Sequence, residues 1–491
     1  MQRRLQLRRH LLLLGVLGAL IAPAPAHADA VTQWNLNASN AIFTVAAQPP
    51  QLSVLHLAMV HGAVYDAVNA IDSGPGVARA DAVDEWNVIA QTETLLLRPS
   101  AHGQSRGIAM VSGAVYDAVN AIDRGYQPYL IDLDEVGAQP WGSQDAAAAT
   151  AAYRVLRAIT PPARHAGLDT AYANTLSSIP DDALRQEGID AGDAAAEAML
   201  DAREDDGFLG PFDFSLVIGP DPGDWRPVGW APPVLGALDP DPWVGDLKPF
   251  LIRSPSQFRS EGPNALTSAA YAEDFAEVKE LGALNSAMRT ADQTAAAVFW
   301  QFAPIALWSP LMRSLAARFE LDAADQARLH ATVDLAAADG AISCWNDKYH
   351  WSFWRPRAAI READTDGNPD TIADPSWEAL FAPATATTPP LATPPFPDHP
   401  SGHGCLSGAV LNSVADFFGT DKVAFTVVSG RSLNGVAIPP REFARFSHAL
   451  KEIIDARVWG GIHFRTADVQ GAVIGKKVAH WLRKHYFRPV R

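Results

Sequence analysis

The sequence predicts an all-α protein: helical bundles joined by long proline-rich loops. Three observations point there. Apolar residues are 48% and charged residues 19% of 491, enough for a sizeable core. Alanine-rich stretches place apolar residues at three- and four-residue spacing, the period of a helix with one buried face. Runs of alternating β-branched residues are few.

The chain opens on an address. Arg3, Arg4, Arg8 and Arg9 precede an apolar run from Leu11 to about Ala22, then Pro residues and Ala26-His27-Ala28. This is an export-signal pattern with cleavage expected after Ala28, by the general or the twin-arginine route. The run is short for a membrane span. Localisation is therefore expected to be periplasmic or extracellular, with no membrane span after signal removal.

An internal duplication follows, 28–72 and 80–123. The stretch AMVHGAVYDAVNAID (58–72) recurs as AMVSGAVYDAVNAID (109–123), identical at fourteen of fifteen positions. Its apolar spacing reads as a duplicated packing helix, and two copies are too few for a solenoid. Residues 145–204 predict two or three helices broken at Pro161-Pro162 and Pro180. Residues 205–264 are rich in Pro, Gly, Asp and Trp. They predict an ordered wrapping segment, because its tryptophans need burial. Helices are expected at about 266–282, 286–320 and 323–354. A Pro/Thr/Asp-rich loop covers 362–400, and helices follow at 401–418, 440–459 and 466–486. The expected organisation is a signal (1–28), a duplicated helical region (29–130), a helical and wrapping region (131–265) and a helical catalytic domain (266–491).

Charge excludes some functions. The net charge of -16 falls to about -20 without the signal, which argues against a nucleic-acid binder. An anion site in such a chain must be a local basic cluster working against the overall field. Two cysteines, Cys344 and Cys405, cannot form a four-thiolate zinc site.

Chemistry concentrates in three segments. In Lys348-Tyr-His-Trp-Ser-Phe-Trp-Arg355-Pro356 the two cations are seven residues apart, which predicts one helical face. In Pro400-Ser401-Gly402-His403-Gly404, Ser401 sits where an N-cap is expected, and a helix start presents N–H groups to an anion. In Arg457-Val-Trp-Gly460-Gly461-Ile462-His463, the paired glycines permit a break that returns His463 toward Arg457. Each alone reads as a solvated face, a capped helix or a structural histidine. Together they hold three cations, a hydroxyl, helix-start amides and two histidines. That inventory suits a tetrahedral oxyanion.

These motifs resemble those of the vanadium-dependent haloperoxidases, within the type-2 phosphatidic acid phosphatase superfamily. The pattern is Lys-x6-Arg-Pro, then Pro-Ser-Gly-His, then Arg-x5-His, and the resemblance covers most of the chain after residue 100. Ala456 departs from it where the superfamily often has Ser, and His399 stands where Tyr is common. The resemblance implies two four-helix-type bundles. It implies that Lys348, Arg355, Ser401, Gly402 and Arg457 bind vanadate oxygens, that His463 bonds vanadium, and that His403 is the acid–base group. Lys348 would polarise bound hydrogen peroxide, and halide would attack it to give a species that halogenates a small organic acceptor. Phe396, His350 and Trp354 are expected near the halide. The alternative is a secreted acid phosphatase, in which phosphate takes the cage as substrate and His463 becomes the phosphohistidine. Asp398 and His399 are expected to tune His403.

Overall fold

In this computed structural model, residues 82–228, 238–301, 303–381, 393–433 and 436–490 are described. The export signal and the first copy of the repeat lie outside the described residues. The second copy supplies two helices, α1 (Ala82–Leu97) and α2 (Ala101–Asp123). Ser100 caps α2 by accepting from the Gly103 amide. Every residue of α2 from His102 to Ile122 is buried. The polar letters of the repeat have work there. Asp117 accepts from the amides of Tyr129 at 2.6 Å and Leu130 at 2.7 Å, and Asn120 from Tyr126 at 3.1 Å. The repeat therefore fixes the loop that follows it as well as filling a core.

Helices α3 (Gln144–Ile159), α4 (Pro162–Ser177) and α5 (Ala183–Ala202) break at the expected prolines. Small residues let α3 and α5 touch: a Cβ on Gly192 would lie 2.6 Å from Thr150 Cβ. The wrapping segment contains no α-helix in its described part, and Trp225 and Trp243 are buried.

Further on are α6 (Ala269–Leu281), α7 (Ala291–Phe299), α8 (Pro304–Arg318) and α9 (Ala323–Trp351). The single helix expected over 286–320 is two helices bent by 88°. Pro304 opens α8 and cannot donate into a continuing helix. After α9 come α10 (Pro356–Arg361), α11 (Gly402–Phe417), α12 (Phe446–Trp459) and α13 (Arg465–His485). Four short strands separate α11 from α12: β1 (Phe425–Val427), β2 (Ser432–Leu433), β3 (Val436–Ala437) and β4 (Arg441–Phe443). They form two antiparallel pairs, β1 with β4 and β2 with β3. The helix expected from 440 thus begins at 446. Phe443 instead faces Phe425 across the β1–β4 pair and stacks beside it at 5.6 Å.

Helix α9 organises the rest. It packs against α2 on one side and against α11 and α13 on the other. Its Asp339 carboxylate accepts from three successive amides, Phe250, Leu251 and Ile252, at 2.7–2.8 Å. The largest core cluster runs from Ala82 to Phe487 through this shared helix. Among the described residues no single helix is long and apolar enough to cross a membrane.

Candidate active site

Four segments converge at the C-terminal end of α9. Lys348 lies in its last turn. The helix then stops at Ser352, which adopts a left-handed conformation at φ 45°. Arg355 lies beyond the stop, as the extended residue capping α10, with Pro356 at that helix's first position. The two cations therefore do not share one helical face, as their spacing predicts. They converge because the chain reverses between them. Arg355 Nε donates to Phe396 O at 2.8 Å and its Nη1 to Ile462 O at 2.7 Å.

The other two segments follow their expected logic. Ser401 caps α11, and its hydroxyl accepts from the Gly404 amide. The remaining first-turn amides project from the helix end. Helix α13 presses on this point, because a Cβ on Gly471 would lie 2.7 Å from Ser401 O. Helix α12 ends at Trp459, and Gly461 takes φ 73°, a conformation that favours glycine. That turn carries His463 back over Arg457.

The cations are the notable feature. Lys348, Arg355 and Arg457 are 0%, 3% and 1% exposed, yet among the described residues none forms an ion pair with a carboxylate. Lys348 Nζ donates to three backbone carbonyls, Pro397 at 3.0 Å, Asp398 at 3.2 Å and Pro400. Arg457 Nη1 donates to Gln301 Oε1 at 2.8 Å. Arg355 Nη2 and Arg457 Nε are buried with no hydrogen-bond partner among the described residues. Burial pushes these groups below their ordinary values, Lys348 to about 8, Arg355 to about 10 and Arg457 to about 9.

His463 faces this cluster. Its Nδ1 lies 2.9 Å from Asp398 Oδ1, and its Nε2 lies 3.1 Å from Arg355 Nη1. Arg355 has only donors, so Nε2 must be the acceptor and the proton sits on Nδ1 toward the carboxylate. Burial, then the charges of Arg355, Lys348 and Arg457, hold His463 well below its usual value, so it is a neutral base. Asp398 is itself buried, which pushes it up to about 7 against the pull of Arg355 and Lys348.

A cavity of about 280 Å³ opens onto this arrangement, lined by His403, Phe396, Gly402, Arg457 and His463. Phe396 ties the floor together: Lys348 Nζ lies 5.2 Å and the Arg355 guanidinium 5.1 Å from its ring centre. His350 and Trp354 are not there. His350 lines a different hollow with Phe212 and Tyr349, and Trp354 is buried in a separate core with Phe353 and Phe464. His350 is two positions past Lys348, near the opposite face of α9. The expected tuning of His403 by Asp398 and His399 also changes. Asp398 serves His463, and His399 meets Ser260 Oγ at 3.1 Å. Both cysteines are free and buried.

Several cavity residues carry no motif. Trp345 lies three residues before Lys348, the same face of α9, and that spacing was its available signal. His102, Gln301 and Arg431 reach the cavity from α2, the α7–α8 turn and the strand segment, with nothing local to mark them.

The donor set fits an oxyanion bonded through one histidine. Two orphaned guanidinium N–H groups and a helix start supply anion contacts, and His463 offers a lone pair with its other nitrogen held by a carboxylate. Among the described residues no three His, Cys, Asp or Glu side chains group as a metal-ion cluster.

Known proteins share these features. Residues 328–491 match the VCPO second helical-bundle domain. The vanadium chloroperoxidase of Curvularia inaequalis is 36% identical over 180 residues, 31% of this chain. The chain's match spans 29% of that relative's length. Two solved structures share the fold across most of the chain. A bacterial vanadium-dependent iodoperoxidase superposes with a TM-score of 0.64 at 22% identity, covering 84% of this chain and 99% of the other. A holo-type bacterial vanadium-dependent chloroperoxidase gives 0.62 at 17%, covering 83% and 98%. Residues 328–491 thus match the second helical-bundle domain of vanadium chloroperoxidases, and the chain shares the fold of vanadium-dependent haloperoxidases.

Proposed function

We propose that this protein oxidises halide with hydrogen peroxide at a vanadate held by His463. One observation carries the reading: three buried cations with no carboxylate partner, two of them with orphaned N–H groups, surround a neutral histidine. Unpaired buried charge is strongly destabilising, so the cluster is built for an anion. The relatives named for vanadium haloperoxidase activity favour vanadate, and none favours the phosphatase alternative.

Arg355 and Arg457 would hold oxygens of the anion through these N–H groups, with the Ser401 hydroxyl and the Gly402 amide as further donors. Lys348 now donates to three carbonyls, and would exchange one of them for an oxygen of the anion. His463 Nε2 would hold the metal, and Asp398 would keep its ring oriented. Vanadate supplies Lewis acidity that activates peroxide toward halide. His403 would take and return a proton at its imidazole. Halide and peroxide would enter through the cavity of about 280 Å³, and a hypohalous product would leave toward a small organic acceptor. The export expected from residues 1–28 places this reaction outside the cytoplasm.

The test uses metal-free protein expressed from residue 29. Added orthovanadate should switch on peroxide-dependent bromination of a phenolic dye, and His463→Ala should abolish it. Turnover of a phosphomonoester, inhibited by vanadate and with no bromination, would establish the phosphatase instead.

A further inference from the structure

The cavity has a wall that no motif announces. Asp239, in the wrapping segment, is 4% exposed and accepts from four donors. Its Oδ1 meets His102 Nε2 at 2.9 Å and the Asp241 amide at 3.0 Å. Its Oδ2 accepts from Trp345 Nε1 and from Tyr349 OH, both at 2.8 Å. A carboxylate serving four donors is an acceptor only, so His102 carries its proton on Nε2. One side chain thus clamps residues from α2 and α9, which are 243 positions apart in sequence (102 and 345).

The clamp sets a geometry. The His102 and Trp345 rings stack at 3.8 Å with planes 18° apart. Phe396 sets its edge against both, at 5.8 Å from His102 and 5.1 Å from Trp345. Trp345 also presses on the start of α11, since a Cβ on Gly402 would lie 2.9 Å from its ring. All four residues line the cavity that holds His403, Arg457 and His463. No protein group among the described residues bonds His102 Nδ1.

We propose that His102 is a halide-contacting residue that sets halide preference, and that Asp239 is its positioning residue. The proposal rests on the haloperoxidase reading and adds a contribution from the N-terminal bundle to it. The cavity, about 280 Å³, has Arg431 and Arg457 in its lining, which suits a small anion over a bulky organic molecule. Aromatic ring edges carry partial positive charge and are polarisable, so a rigid two-ring wall holds a soft anion better than a mobile one. A rotation of either ring would change the contact radius the halide meets. Asp239 removes that freedom.

Two variants separate the parts. His102→Phe keeps a stacking ring but loses the Nε2 bond, and Asp239→Asn keeps the size but turns an NH2 donor toward two of the four donors. Each should raise the halide KM roughly five- to tenfold, the effect of one ordinary hydrogen bond, with kcat changed less than about twofold. Each should also shift the bromide-to-iodide ratio of kcat/KM. The independent readout is bromide-81 NMR line broadening on vanadate-free protein. Wild type should broaden the line, and both variants should broaden it several-fold less. Equal broadening in all three, or none in wild type, overturns the proposal. A wild type that broadens the line yet brominates nothing removes the haloperoxidase reading and leaves the anion-contact assignment standing. A loss of kcat and of vanadate binding without change in halide KM would mark the wall as structural and also overturn it.

Discussion

Two buried arginine clusters sit in this protein, and they are built oppositely. In the N-terminal bundle Arg106 and Arg203 are both buried, and both donate to Asp206 Oδ2 at 2.8 Å. Their planes lie over Phe208 and Phe250 at 4.4 and 3.9 Å, and Arg203 also reaches Lys248 O. In the C-terminal bundle Lys348, Arg355 and Arg457 have carbonyls, an amide oxygen and an imidazole, but among the described residues no carboxylate within ion-pair reach. The first cluster is satisfied by its own chain. The second leaves N–H groups of Arg355 and Arg457 without a partner among the described residues. The contrast separates a structural ion network from a candidate binding site more surely than burial, which the two share.

That contrast can be broken in three places. The largest effect is expected from Asp206→Ala, which strands two buried guanidinium groups. It should cost about 3–5 kcal/mol in urea unfolding and leave turnover of the surviving folded protein near wild type. Arg457→Met does the reverse. Halide oxidation should fall by about 10²–10³, the effect of losing one preorganised donor, while unfolding stability stays level or rises. The same variant should lose the stabilisation that saturating vanadate gives wild type, about 2.7 kcal/mol at a hundredfold excess over Kd. A destabilised Arg457→Met would mean the cage is structural after all.

The smallest effect concerns Asp339, the carboxylate that ties α9 to residues 250–252. Burial pushes it from 3.8 up to about 6, against the three amides that favour its ionised form. The folded state then holds the proton more tightly than the unfolded state between those values. Its contribution to stability is whole below pH 4 and is lost as pH rises through about 6, a decline of at most about 3 kcal/mol. Urea midpoints measured from pH 4 to 6.5 should show that slope in wild type. Asp339→Asn should flatten it, and an unchanged slope would assign the titration elsewhere.

The legibility of the molecule followed the range of the interactions. Helix breaks at Pro161-Pro162 and the cap at Ser401 were readable because each is a local backbone effect. Six candidate residues, Lys348, Arg355, Ser401, His403, Arg457 and His463, could be nominated from sequence because each motif lies within one short segment. Their mode of convergence was not. Arg355 meets Lys348 across a left-handed Ser352, a stop that the seven-residue spacing conceals. His350 and Trp354 neighbour the motif in sequence, but His350 points from near the opposite face of α9 and Trp354 lies beyond the stop at Ser352. Asp239 and His102 were invisible, since an aspartate in a Pro-rich stretch and a histidine in a helix carry no pattern alone.

Sequence alone therefore determined the helical class, the punctuation of the elements and the chemical inventory of the cage, because these depend on spacing and side-chain type within a few residues. Tertiary structure decided which buried cations lack a partner, which carboxylate holds which histidine, and which rings wall the cavity. Those are properties of groups brought together from segments hundreds of residues apart, and the free energy of a buried charge depends on what surrounds it in space.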